Sequence, residues 1–359
     1  MSDTDRPDVR SRLLRLIRRS ATTVVSPDRF GVVVALVVLV AYLSYSSPYF
    51  FNPENFVNIG VSVALVGVVA AGSTLVMISG GIDISVGSIV ALSGICAAKV
   101  TADSGSAVLG VGAALGVGAL AGLANGLIVT RFRVSPLIAT LATLSIYRGA
   151  TFIVSEGNAI AATDPFFLSL GSARVWGIPI PLLIMVAVFV VLTFVLVSTD
   201  IGRNIYAIGG NPEAARLAGI GLDRYRVALY TFNGLLAGLS GLVLTARLGS
   251  GQPLAASGLE LDAIAAVVLG GVALAGGIGS MGGTILGVLV LGTLNNGLTI
   301  LSVDSFYQYI ARGGILLIAV SLDQVNQARR RRPISEGGRW LPARLQRRPR
   351  ALEPTEGHQ

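Results

Sequence analysis

The chain is dominated by apolar runs that are long enough to cross a lipid bilayer. A transmembrane helix needs roughly 20 apolar residues, and ten runs of about this length lie between residues 30 and 322. Because backbone polar groups in lipid must pair internally, such runs predict helices. The sequence therefore predicts an all-α fold, a polytopic transmembrane helical bundle of about ten spans. The runs cover residues 30–47, 57–79, 84–101, 107–130, 136–154, 180–198, 227–248, 263–277, 282–301 and 307–322.

The composition excludes a soluble globular protein. Hydrophobic residues make up 53% of the 359 residues and charged residues only 13%, and the 45 glycines suit close helix packing in lipid. Cys96 is the single cysteine, so the chain has no intrachain disulfide and no cysteine-based metal cluster. His358, the single histidine, leaves no histidine chemistry in the apolar region. A phosphate-binding Gly-x-x-x-x-Gly-Lys-Ser/Thr motif is also missing, so this chain does not itself hydrolyse ATP.

The distribution of basic residues predicts the orientation of the bundle. Of the 27 Lys and Arg residues, 16 lie before residue 30 or after residue 328. Two basic tails, 1–29 and 324–359, thus flank a membrane domain of residues 30–323. Since basic loops stay in the cytoplasm, both termini are predicted to be cytoplasmic and to face lipid headgroups, with no nucleic-acid partner. The alternative for residues 1–47, a cleaved signal peptide, lacks a clear cleavage site.

Residues 199–227 form the only long polar interruption of the apolar region, and their centre reads Asn-Pro-Glu-Ala-Ala-Arg-Leu-Ala-Gly. Asn is a favoured N-cap, Pro suits the first helical position, Glu suits the first turn and Gly suits the exit. The small alanines allow another protein to approach the backbone closely. We therefore predict a short cytoplasmic docking helix, the alternative being a capped surface turn. The predicted docking residues are Asn211, Pro212, Glu213, Ala214, Ala215 and Gly219.

The turn at residues 79–87 carries Asp83, the one carboxylate near membrane depth in the first half of the chain. Gly80 and Gly81 permit a tight or left-handed turn. Asp83 or Ser85 can cap the helix that follows. Alternatively, Asp83 lines or gates a translocation path, because ionisable groups in a membrane are costly and indicate function.

Further polar side chains lie inside the apolar runs. An arginine there either snorkels to the headgroups or faces the bundle interior. An amide can hydrogen-bond a polyhydroxylated solute or another helix. The candidate path or gate residues are Gly80, Gly81, Asp83, Ser85, Asn125, Arg148, Asn295, Asn296 and Arg312.

The sequence contains two internal repeats. Residues 115–127 resemble residues 286–298, and each copy is followed by an Arg-Gly pair. The copies fall on spans of opposite direction, and such inverted repeats are typical of transporters. A second repeat, Gly-Gly-Ile at 80–82 and 276–278, does not fit this symmetry and indicates only two glycine-rich turns. The eighth run, 263–277, is short and glycine-rich, which predicts a broken or re-entrant segment.

Several of these motifs resemble the ribose/xylose/galactose-type permease family of ATP-binding-cassette importers. Glu213-Ala214-Ala215 followed by Gly219 matches the Glu-Ala-Ala-x-x-x-Gly core of the loop by which such permeases dock on their ATPases. The usual Ile-x-Leu-Pro continuation is absent. The resemblance extends from about residue 30 to residue 323. Its other matching segments are residues 80–87, 135–141, 209–211 and 313–323.

The resemblance implies the membrane subunit of an ATP-driven monosaccharide importer in the bacterial inner membrane. Its implied partners are cytoplasmic ATP-binding-cassette ATPase subunits, an extracytoplasmic solute-binding protein, a second permease subunit in a homodimer or pseudo-dimer, and membrane lipid. ATP and Mg would be bound by the partner ATPase, so this chain needs no cofactor. A branched-chain amino-acid permease of the same superfamily and a passive polyol or sugar facilitator are the alternatives. A purely structural scaffold is disfavoured, because it has no need for broken glycine-rich spans with polar groups at depth.

Overall fold

The computed structural model describes residues 27–331, which form thirteen helices and four short strands. Strand β1 (Ile160–Ala161) pairs antiparallel with β4 (Ser250–Gly251), and β2 (Arg174–Val175) pairs antiparallel with β3 (Ile178–Pro179). The chain divides into two units, Met1–Asp323 and Gln324–Gln359. The helices are α1 (Pro27–Ser46), α2 (Pro53–Ile78), α3 (Val86–Ser104), α4 (Ala107–Arg131), α5 (Pro136–Ser155), α6 (Pro165–Ser172), α7 (Ile180–Ser198), α8 (Asp200–Gly210), α9 (Pro212–Leu217), α10 (Leu222–Leu248), α11 (Leu259–Leu269), α12 (Met281–Ile300) and α13 (Ser305–Arg331).

Within the described residues, seven helices are long and apolar enough to cross a membrane: α2, α3, α4, α5, α7, α10 and α12. Shorter apolar segments, Phe30–Ser46 and Phe306–Ser321, lie in α1 and α13. The predicted all-α membrane bundle is confirmed, and each of the ten apolar runs overlaps a helix. The number of spans and the side of the membrane on which the termini lie stay predictions.

Helices α2, α3 and α10 form the centre of the first unit, and the outer helices present apolar side chains to the surroundings. Helix α10 packs along α4, α3 and α2. On α5 and α7, by contrast, Ile153, Val190 and Phe194 are exposed. Large contiguous apolar surfaces are rare on proteins that face only water. These outer faces therefore suit lipid or another membrane chain.

Glycines bring α4 and α10 into backbone contact. Gly118 and Gly122 lie one turn apart on α4 and face Gly234 and Gly238 of α10. A β-carbon at any of these four positions would overlap backbone atoms of the opposite helix. This is the small-residue packing by which helices associate in lipid, where no hydrophobic force drives them together.

The predicted eighth span is interrupted. Instead of one helix over 263–277, the chain forms α11, which has 11 residues, and then a non-helical segment over 270–280. Gly276 and Gly277 adopt left-handed φ values of 85° and 74° in that segment, which few other residues tolerate. The break predicted from the glycines is confirmed, and whether the segment re-enters the membrane stays a prediction.

Candidate functional site

Asp83 lies at the centre of a buried hydrogen-bond network. Its side chain is 2% exposed, in the turn between α2 and α3. Oδ1 accepts hydrogen bonds from the Ser85 amide (3.0 Å) and the Ser85 hydroxyl (2.7 Å). Oδ2 accepts one from Nδ2 of Asn233 at 3.0 Å. Because Asn233 belongs to α10, the carboxylate ties the turn to the central helix.

The same network reaches α4 and α5. Asn125 Nδ2 donates to Ser85 Oγ (2.7 Å), and the Tyr147 hydroxyl lies 3.1 Å from Asn125 Oδ1, to which it donates. On α10, the Tyr230 hydroxyl donates to the Ile82 carbonyl oxygen at 3.0 Å. The turn thus binds α4 and α10 directly and α5 through Asn125, which makes an interhelical bond, one of the two roles expected for it.

The Asp83 carboxylate has no ion-pair partner among the described residues, whose ion pairs all lie on exposed surfaces. Hydrogen bonds alone offset its removal from water, a cost of several kcal/mol for an unpaired buried ion. The carboxylate also covers a backbone amide at the start of α3, because Oδ1 accepts from the amide of Ser85, the N-cap residue, so both the cap and the gate interpretations of Asp83 stay predictions. Ser85 occupies the N-cap position of α3, but its side chain makes no capping bond. The Ser85 hydroxyl donates to Asp83, and both side chains also bind neighbouring helices.

The remaining path candidates lie apart from this network. Arg148 donates from Nη1 to the carbonyl oxygens of Pro253 (2.9 Å) and Ala255 (3.0 Å), so it binds a protein loop rather than snorkelling. Asn296 donates from Nδ2 to Asn55 Oδ1 at 2.8 Å, which joins α12 to α2. Asn295 precedes Asn296 on α12, and the Arg312 side chain lies outside the described residues. The structure therefore gathers Gly80, Gly81, Asp83, Ser85 and Asn125 and separates the others.

Helix α9 is the predicted short helix. Asn211 Oδ1 accepts a hydrogen bond from the Ala214 amide (3.0 Å), Pro212 is the first helical residue, and Gly219 follows with a φ of 84°. Ala215 is 4% exposed and packs in a small cluster with two residues outside the helix. Leu217 is 83% exposed. Since every residue of the helix except Ala215 is exposed, α9 presents a free surface.

Three glycine-containing segments meet where α8 ends, and we call this contact the glycine junction. It consists of residues 78–81, Gly209–Gly210 and Gly276–Gly277. The Gly277 amide donates to the Ile78 carbonyl oxygen at 2.8 Å. A β-carbon at Gly276 would lie 2.9 Å from the Gly80 Cα, and one at Gly277 would lie 2.8 Å from the Gly210 Cα. The two glycine-rich turns predicted from the repeated Gly-Gly-Ile thus touch each other and α8, a contact that the repeat alone does not predict.

Asn233 and Leu217 are site residues that the sequence analysis missed. Asn233 is an amide inside an apolar run, which is the signal that drew attention to Asn125. Leu217 is an apolar residue within the only long polar stretch, and its exposure is unfavourable unless something covers it. Both signals are present in the sequence, but neither specifies the contact.

Comparison with known proteins identifies the family. The family described as "Branched-chain amino acid transport system / permease component" matches residues 55–320. The ribose import permease protein of Bacillus subtilis (strain 168) is 45% identical over 303 residues, which cover 84% of this chain and 94% of that protein. No solved structure matches the chain.

Two further relatives agree with this. The L-arabinose ABC transporter permease protein of Azospirillum brasilense is 40% identical over 85% of this chain and 90% of its own length. The ribose import permease protein of Escherichia coli (strain K12) is 44% identical over 82% of this chain and 93% of its own length. The resemblance to sugar permeases is confirmed, while xylose stays a prediction. The chain therefore belongs to this family of transport-system permeases, as a multi-pass protein of the bacterial inner membrane.

Proposed function

We propose that this chain is the membrane-spanning permease subunit of an ATP-driven importer and forms the path for a monosaccharide such as ribose or arabinose. One observation carries the proposal, the 45% identity to a ribose import permease across 94% of that protein. The buried polar network around Asp83 supports it, because polar groups at depth in a membrane bundle mark solute pathways.

The proposed topology has ten spans, with the interrupted segment around α11 as the eighth and both termini in the cytoplasm. Residues 199–227 then form a cytoplasmic loop between the sixth and seventh spans. The partners are cytoplasmic ATPase subunits that bind ATP and Mg, an extracytoplasmic solute-binding protein and a second copy of this chain. The exposed face of α9, with Leu217 on it, supplies a surface for the ATPase.

The glycine junction supports a coupling route from that surface to the polar network. Helix α9 follows α8 directly, since Asn211 both ends α8 and caps α9. The end of α8 lies against Ile78 and Gly277, and the segment after Ile78 is the turn that carries Asp83. An ATPase that moved α9 would move α8 and, through this contact, the turn. Such movement would break and remake the bonds of Asp83 to α10, opening or closing the path.

The alternatives make different predictions. A branched-chain amino-acid permease shares the family description, but the relatives at 40–45% identity are named for ribose and arabinose. A passive facilitator needs no ATPase and has no use for a capped helix with an exposed leucine. Transport without any ATPase would favour the facilitator.

Purification of the chain from its native membrane in mild detergent tests the proposal. We expect an ATP-binding-cassette ATPase to remain bound in fixed stoichiometry, and Glu213→Lys or Leu217→Asp to release it. Glu213 pairs with Arg216 on an exposed surface, so its replacement costs under about 1 kcal/mol of folding stability. Asp103→Lys is the matched control, because Asp103 is also an exposed acid in a helical ion pair, with Lys99. Purification of the wild-type chain alone would refute the docking role.

A further inference from the structure

Next to the Gly80–Gly81 turn lies a cavity of about 490 Å³ whose lining has more positively than negatively charged side chains. It forms where four segments meet: the turn itself, the connection from α4 to α5, the docking helix α9 and the start of α10. Three arginines line it, against one carboxylate, that of Asp223. The charged lining residues are Arg133, Arg216, Arg226 and Asp223.

Two of these arginines have no partner within the described part of the chain. Arg216 pairs with Glu213 at 3.3 Å. Neither Arg133 nor Arg226 makes an ion pair or a side-chain hydrogen bond with any other described residue. Arg226 is half-buried, so its guanidinium has lost part of its water without gaining an anion. Two unpaired guanidinium groups thus line one cavity, Arg133 exposed and Arg226 half-buried, and they are complementary to a negatively charged ligand.

The backbone around Arg133 and Ser135 supports the same conclusion. Arg133 has a φ of 55°, a left-handed conformation that residues with a side chain rarely adopt and that concentrates at functional sites. Two residues on, Ser135 is the N-cap of α5, and its side chain makes no capping bond. The first-turn amides of a helix have no partner within the helix and favour an anion. The free amides of α5 thus begin two residues after Arg133, beside the same cavity.

We infer that this cavity binds a phosphate-bearing small molecule. A neutral sugar needs hydrogen-bonding groups but no cations, whereas guanidinium groups match the oxygens of a phosphate in pairs. The volume holds a phosphate with an attached small organic group. If the chain imports a monosaccharide as proposed, a phosphorylated sugar made on the cytoplasmic side has this chemistry. Bound against the Gly80–Gly81 turn, it would restrain the coupling route and slow import.

Ligand binding to the purified permease tests this inference without ATPase or transport. The protein is placed in nanodiscs of zwitterionic lipid, and its thermal unfolding is followed with ribose 5-phosphate, inorganic phosphate and ribose. We expect saturable stabilisation by ribose 5-phosphate, a weaker effect of inorganic phosphate and none of ribose. Arg226→Gln should weaken binding about tenfold or more, because a charge-assisted hydrogen bond is lost. Arg224→Gln is the matched control, since Arg224 lies on the same helix but does not line the cavity.

A second variant keeps the test valid if Arg226→Gln unfolds. Arg133→Gly removes a cation and relieves the left-handed backbone, so it should fold at least as well as the wild type and still bind less.

No stabilisation of the wild type by any phosphate would overturn the inference. So would equal stabilisation of all variants. Stabilisation of the wild type, but not of Arg226→Gln, by phosphatidic acid added to zwitterionic nanodiscs, with no effect of ribose 5-phosphate, would identify a lipid headgroup as the source of the phosphate and overturn the small-molecule assignment. Release of the ATPase by Arg226→Gln, without phosphate binding in the wild type, would assign the cavity to the ATPase and overturn the inference. Because phosphate binding needs no ATPase, it can fail or succeed independently of the importer assignment.

Discussion

Gly209 leaves no room for a side chain at the glycine junction, whereas its neighbour Gly210 does. A β-carbon at Gly209 would collide with the Ile78 carbonyl oxygen and lie 2.5 Å from the Gly277 nitrogen. These two atoms form the hydrogen bond that joins the two turns. A β-carbon at Gly210 would meet nothing within 4 Å. The substitutions Gly209→Ala and Gly210→Ala therefore differ in one respect, the contact between α8 and the junction.

The expected cost follows from these contacts. Overpacking a close contact costs about 1–3 kcal/mol, and loss of the hydrogen bond about 1 kcal/mol more. Alanine regains up to about 1 kcal/mol, because both positions lie in α8. The net destabilisation for Gly209→Ala is about 1–3 kcal/mol, too little to unfold a membrane bundle of this size. Gly210→Ala should be neutral or slightly stabilising.

Coupling is measured in proteoliposomes that contain the permease, its ATPase and the binding protein. We expect Gly209→Ala to keep the ATPase bound and hydrolysing ATP while the sugar imported per ATP falls about 5- to 150-fold, the usual range of a coupling energy. Gly210→Ala should match the wild type. If Gly209→Ala imports as much sugar per ATP as the wild type, the junction is not the coupling route.

Three further predictions concern other parts of the structure. Asp83→Asn should still fold, because the Asn233 amide group can turn over so that its Oδ1, which is buried without a partner, accepts a hydrogen bond from the new amide. Uptake should nevertheless be lost, and unchanged uptake would exclude a role for the charge. Arg148→Gln should speed amide hydrogen exchange in residues 252–258 roughly tenfold or more, because two charge-assisted hydrogen bonds worth about 1.5–3 kcal/mol are lost. Unchanged exchange would show that Arg148 does not hold this loop. Gly118→Val should destabilise the protein several times more than Gly112→Val, because Gly118 touches the backbone of α10 whereas Gly112 faces open space. Equal melting temperatures of the two variants would contradict this packing.

Local features could be predicted from the sequence, and contacts between distant segments could not. The cap, the first proline and the exit glycine of α9 each act within a few residues, so the helix was predicted almost to its ends. The apolar runs located the helices for the same reason. The glycine junction joins residues about 70 to 200 positions apart. The repeated Gly-Gly-Ile was visible, but nothing in the sequence shows that the two copies touch.

Polar residues at depth illustrate the same limit. The amides of Asn125 and Asn233 were equally visible in apolar runs, yet only the packing of α4 and α10 reveals that both serve the Asp83 turn. Arg148 was expected either at the headgroups or in the interior. Its partners are backbone carbonyls of a loop, which no pattern of side chains indicates.

The importer assignment is tested most directly by ATP-dependent uptake of radiolabelled ribose and arabinose into proteoliposomes that contain this chain with its ATPase and binding protein. We expect uptake of one of these sugars that requires ATP, both partners and an intact Glu213. Uptake by the chain alone, at the same rate with and without ATP, would refute the importer assignment and identify a passive facilitator.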